Sequence, residues 1–103
     1  MKKEYYNCKI KNEEDYKLLF NLLVRKNIPL PSSMNSEYSK EYNFIDIFQS
    51  SDGLLYVNQR RTKTDYNHIE FEEMLEIILS SNNKEILEKR KRIRNKVLDY
   101  LNE

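Results

Sequence analysis

The sequence holds one cysteine, one histidine, one glycine and two prolines, and neither alanine nor tryptophan. A lone cysteine, Cys8, cannot form an intramolecular disulfide, so the fold is not covalently stapled and suits a reducing compartment. One Cys with one His (His68) cannot assemble the four-ligand Cys/His sets or the three-histidine sets that hold zinc within one chain. Gly53 stands alone, which leaves no glycine-rich loop to cradle a phosphate. His68 has no Ser or Cys at the spacing of a nucleophile–base pair. Long apolar runs are missing too: the longest, residues 54–57, falls far short of the ~20 residues that span a bilayer. The segment Met1-Lys2-Lys3-Glu4-Tyr5 begins basic, but no apolar stretch follows, so no signal peptide is predicted. Together these absences predict a cytoplasmic protein that is not an enzyme, has no catalytic, metal-binding or cofactor-binding residues, needs no cofactor and does not contact a membrane.

What is present is charge, asparagine and tyrosine. The 103 residues leave room for one domain, with 39% hydrophobic residues for a modest core and 34% charged residues for its surface. Eighteen Lys and Arg against seventeen Asp and Glu give a net charge of +1. Twelve Asn and eight Tyr accompany the missing Ala. Most of the abundant residues have AT-rich codons, which points to a low-GC bacterium or one of its phages or plasmids.

Periodicity sets out the elements. Residues 5–11 alternate, with Tyr6, Cys8 and Ile10 on one side, as in a half-buried strand. Asn12 is a good helix cap, followed by Glu13, Glu14 and Asp15 at the positive end of the macrodipole. Tyr16, Leu19, Phe20 and Leu23 then form an apolar stripe to about Lys26, and Asn27 suits the left-handed position that ends a helix. Residues 32–41 are polar and read as a long connector. Residues 42–48 and 54–59 flank Asp52-Gly53, a strong hairpin signal, with Phe44 and Phe48 on one side and Ile45 and Ile47 on the other. Ile69 suits a short edge strand. Phe71, Met74, Leu75 and Ile78 predict a helix over about 70–79, and a last helix runs over about 84–101. The predicted fold class is α+β: a small antiparallel sheet of three to four strands packed with helices, in the order β-α-β-β-(β)-α-α. Residues 1–83 form the α+β domain, and residues 84–103 a C-terminal basic helix that belongs to it or is appended to it.

Two basic groups and three tyrosines are the candidate contact residues. Lys89, Arg90, Arg92 and Arg94 fall in the last helix, where residues 84–103 carry seven basic and four acidic groups, a net +3. The remaining eleven basic and thirteen acidic groups leave residues 1–83 at −2. Arg60, Arg61 and Lys63 follow the hairpin. Tyr38, Tyr42 and Tyr66 lie in or beside loops, and tyrosine is enriched at interface hot spots. Asp65, His68, Glu70, Glu72 and Glu73 resemble an acid–base or metal set, but the glutamates also sit where acids stabilise a helix start.

The order of elements resembles a group of short phage and prophage accessory proteins. The matching stretches are residues 8–26, residues 42–59 with Asp52-Gly53, and Ile69-Glu70-Phe71-Glu72-Glu73-Met74-Leu75. That group includes anti-CRISPR-type inhibitors of bacterial defence, and the resemblance implies a non-enzymatic inhibitor that acts by protein–protein contact. Its partner would be a host protein such as a defence nuclease or its nucleoprotein complex. One alternative is a small nucleic-acid-binding regulator that uses the basic C-terminal helix. The other is a self-associating module, a homodimer, because Ile86, Ile93 and Tyr100 recur every seven residues.

Overall fold

The computed structural model describes residues 5–103. The chain runs β1 (Tyr5–Lys9), α1 (Glu13–Arg25), a 3-10 turn (Lys40–Tyr42), β2 (Phe44–Gln49), β3 (Leu55–Arg60), β4 (Asn67–His68), α2 (Phe71–Leu79) and α3 (Asn83–Leu101). The strands line up as β3-β2-β1-β4. This is the α+β class that the periodicity implies, with one refinement. β1, β2 and β3 are antiparallel neighbours, whereas β4 runs parallel to β1, so the sheet is mixed. After β3 the chain does not turn back in a hairpin. It crosses to the opposite edge of the sheet, and a crossing of that kind delivers β4 in the direction of β1.

Local chemistry fixes the element ends. Asn12 Oδ1 accepts the Asp15 amide at 2.8 Å and caps α1, an interaction that contributes about 1 kcal/mol. At the other end Asn27 takes φ 56°, and the Ile28 amide reaches back to the Leu23 carbonyl at 3.0 Å. In the β2–β3 turn Gly53 has φ 88°, its amide donates to the Ser50 carbonyl, and Asp52 Oδ1 accepts the Leu54 amide.

The two faces of the sheet differ. Cys8, Ile45, Ile47 and Val57 point to the face covered by α1 and α2, where they meet Tyr16, Leu19, Leu23, Met74 and Ile78. Most of these side chains are fully buried, and each contributes about 1.5–3 kcal/mol by leaving water. The connector 29–42 closes the helical side rather than hanging loose. Met34 is buried, Tyr16 Oη donates to the Asn35 carbonyl, and the Tyr38 ring lies 5.6 Å from that of Tyr16. No helix packs on the opposite face.

α3 joins this body through its first turns only. Asn83 is buried; its Oδ1 accepts the Leu55 amide at 2.8 Å and its Nδ2 donates to the Leu55 carbonyl at 2.9 Å. It thereby satisfies the outward amide and carbonyl of Leu55 at the start of the outer edge of β3, shortening the pairing template that edge offers. Ile86 packs beside Gly53, and Arg90 pairs with Asp52 at 3.4 Å. Beyond that point every residue is exposed. The radius of gyration is 16.0 Å, against about 13 Å for a compact chain of this length. No helix among the described residues is long and apolar enough to cross a membrane.

Candidate functional site

Strand register sorts the helix-free face of the sheet into three rows. Tyr5, Phe48 and Tyr56 stand opposite one another in the row nearest the hairpin turn. Asn7, Asp46 and Asn58 form the middle row, with His68 beside Asn7 on β4. Lys9, Phe44 and Arg60 form the third.

The first row is extended by Tyr66, giving Tyr66, Tyr5, Phe48 and Tyr56 in sequence across the face. Neighbouring ring centroids are 4.9, 5.4 and 5.9 Å apart, with planes inclined by 31°, 29° and 21°. Phe48 stacks between Tyr5 and Tyr56, and Tyr66 lies tilted against Tyr5. Tyr5 and Phe48, the interior rings of the row, therefore have a neighbouring ring on either side. All four side chains are half-buried.

Asn7 and Asp46 make the middle row the centre of a buried polar knot, while Asn58 and His68 at its ends are exposed. Asp46 is fully buried and accepts from Asn7 Nδ2 at 2.7 Å, from Thr64 Oγ1 at 3.0 Å and from Arg60 Nε. A buried carboxylate is tolerated when donors surround it in this way. The hydrogen bond and charge of Asp46 raise the pKa of Arg60 further above its usual value. Residues 61–66 act as a strap, running diagonally over this row from β3 to β4. Thr64 ties its middle to Asp46, and Tyr66 ties its end to Tyr5.

The sequence-predicted site residues fall into three separate places. Arg60, Arg61, Lys63, Tyr42 and Tyr66 gather around the strap. Arg61 Nη2 donates to Tyr42 Oη at 2.6 Å with its guanidinium 4.7 Å from the ring centroid, and that hydrogen bond raises the pKa of Arg61. Tyr38 packs instead on the helical side against Tyr16. It belongs with the core because the connector that carries it wraps over α1. Lys89, Arg90, Arg92 and Arg94 are exposed on α3. α3 leaves from the hairpin-turn end of β3, so the two basic groups lie at opposite ends of that strand and share no surface.

A cleft of about 580 Å³ opens where β1 outlasts its short partner β4, lined among others by Asn7, Lys9, Lys63, His68, Glu70 and Glu72. Cations and anions alternate around it, which is not the uniform sign a phosphate groove requires. Cys8 also borders it, but burial, reinforced by Glu70 and Glu72, pushes its thiol up to about 11. It therefore stays protonated at neutral pH and is a poor nucleophile. Among the described residues no group of three or more His, Cys, Asp or Glu is placed to hold a metal. Of the acid–base set, Glu72 and Glu73 fall in the first turn of α2.

Sequence reasoning missed Asp46, Asn7 and Thr64, the aromatic partners Tyr5, Phe48 and Tyr56, and the clamp Asn83. One signal was available: an acid between two isoleucines, Ile45-Asp46-Ile47, in a strand with an uncovered face. The rings could not be joined into a row without the register. Neither a protein-family model, nor a curated protein, nor a solved structure matches the chain.

Proposed function

We propose that this chain is a non-enzymatic binding protein that acts by protein–protein contact through the helix-free face of its sheet. The partner we propose is a host protein of a bacterial defence system, such as a nuclease or its nucleoprotein complex, in a low-GC bacterium carrying this gene on a phage or mobile element. The inhibition is then by occupation of a functional surface.

The mutual stacking of Tyr66, Tyr5, Phe48 and Tyr56 is the observation that carries the reading. A sheet that reads single-stranded nucleic acid needs ring faces free to receive bases. Here the interior rings are packed against their neighbours, and the Tyr42–Arg61 pair adds a further aromatic and cationic contact group. Large, stiff, amphipathic side chains of this kind favour polypeptide contact at low cost in rotamer entropy. The AT-rich residue usage and the resemblance to small phage proteins support the choice of a defence protein as partner.

The test uses immobilised wild-type protein and a Tyr56→Arg/Tyr66→Arg variant against lysate of a low-GC bacterium. The same host protein should be retained by the wild type and lost by the variant, and its nuclease activity should fall when the wild type is added. Failure of well-folded wild type to retain any protein in repeated trials contradicts the reading. So does salt-sensitive binding of a labelled single-stranded oligonucleotide that the variant abolishes, which would make the face a nucleic-acid platform.

A further inference from the structure

α3 carries an apolar arc that none of the described residues covers. Successive helical positions turn by about 100°, which brings Ile93, Val97, Tyr100 and Leu101 to one side with Leu98 at its flank. Their exposures are 51%, 51%, 74%, 68% and 50%. Arg90 and Arg94 fall inside this arc rather than opposite it. They line a shallow groove of about 390 Å³ together with Ile93, Val97 and Leu98.

Two arginines within an apolar face restrict what can cover it. A lipid surface or a plain leucine seam would desolvate both, leaving Arg94 unpaired and Arg90 with only its 3.4 Å pair to Asp52, which is strongly unfavourable. A second α3 laid alongside would set basic run against basic run. The fitting occupant has an apolar floor and two carboxylates about one helical turn apart.

The same chain presents such a surface along α2. Tyr6, Ile69 and Ile77 floor a groove of about 450 Å³ along α2, with Glu73 and Glu76 at its rim. Neither glutamate forms an ion pair among the described residues, and neither does Arg94, while Arg90 engages Asp52 through Nη2 alone and keeps further N–H donors for a second acid. Glu73 and Glu76 stand three residues apart on their helix, Arg90 and Arg94 four apart on theirs, so the two spacings match along facing helices. The surfaces cannot meet within one molecule. α3 is a straight rod anchored at Asn83, and Arg94 lies eleven residues along it, about 16 Å out.

We propose that two copies exchange α3, the arc of each helix docking in the α2 groove of the other, with Arg90 and Arg94 paired to Glu73 and Glu76. Reciprocal exchange closes a two-fold dimer with both interfaces filled. The helix-free face of the sheet, on the side away from α2, stays open in this dimer, so the proposal is independent of what that face binds.

Sedimentation velocity on the full chain at about 100 µM tests it. The wild type should sediment at twice the chain mass of 12.6 kDa. Arg90→Glu/Arg94→Glu and Glu73→Arg/Glu76→Arg should each be monomeric, because each opposes like charges in both interfaces. An equimolar mixture of the two variants should recover the dimer, since both of its interfaces are complementary again. All four positions are exposed, and circular dichroism of each variant should match the wild type; should a double variant fail to fold, Arg94→Glu and Glu76→Arg serve in its place. A monomeric wild type overturns the proposal. So does a dimeric Glu73→Arg/Glu76→Arg, which would mean that α3 pairs with α3, and so does a mixture that stays monomeric.

Discussion

The body of the molecule and α3 contain similar residues and treat them in opposite ways. In the body, Leu19, Leu23, Ile45, Ile47, Met74 and Ile78 are fully buried between the sheet and two helices. In α3, Ile93, Val97, Leu98 and Leu101 are half or more exposed. The body's helices are held chiefly by tertiary packing, as short helices in proteins generally are. α3 rests on local terms: many Lys, Glu, Arg and Leu, no Gly or Pro, and opposite charges four residues apart at Glu85 and Lys89 and at Glu88 and Arg92. The lesson is that an amphipathic pattern marks a helix without saying whether its apolar side is used within the chain. Here one set of apolar residues makes the fold and the other stays on the surface.

The largest expected contrast comes from deleting the same kind of side chain in the two regions. Ile47→Ala opens a cavity among Cys8, Val57 and the helices and should cost about 2–5 kcal/mol. Val97→Ala removes only exposed surface and should stay within about 0.5 kcal/mol in the monomer. Denaturant melts at high dilution would show both, and comparable losses at the two positions would erase the contrast.

A smaller effect is expected at the joint between the regions. Asn83→Ala leaves the Leu55 amide and carbonyl buried without partners, a loss of about 1–3 kcal/mol. Hydrogen exchange at the Leu55 amide should accelerate in this variant by more than at the centre of β2. Equal acceleration at both would show that Asn83 supports the whole sheet rather than the joint.

Much of this fold is legible in the sequence where a local signal is strong. The Asn12 cap, the left-handed Asn27 and the Asp52-Gly53 turn each correspond to a feature of the structure, and the alternation in residues 5–11 to β1 over Tyr5–Lys9, although Asn7 on its polar side is buried. What stayed hidden depends on contacts between distant residues. The short edge strand expected at Ile69 forms just before it as β4, at Asn67–His68, but no local signal names the strand it pairs with. Its parallel direction follows from a strap whose path is set by Thr64 reaching Asp46. The knot around Asp46 and the aromatic row require the register of β1, β2 and β3, which no single strand encodes. Tyr38 looked like a loop residue free for contact, yet its connector folds back over Tyr16. Ser80-Ser81-Asn82-Asn83 reads as a plain break, although Asn83 is one of the most buried polar residues in the chain.

The division between body and α3 is tested most directly by ending the chain after Glu88, which keeps Asn83 and Ile86 and removes the projecting turns. Thermal unfolding would be followed at a dilution where the full chain is monomeric. The shortened chain should unfold cooperatively with a midpoint within about 3 °C of the full chain, since the removed residues bury almost nothing of the body. An unfolded product, or a midpoint lowered as far as Ile47→Ala lowers it, would contradict the account and make α3 part of the folded core.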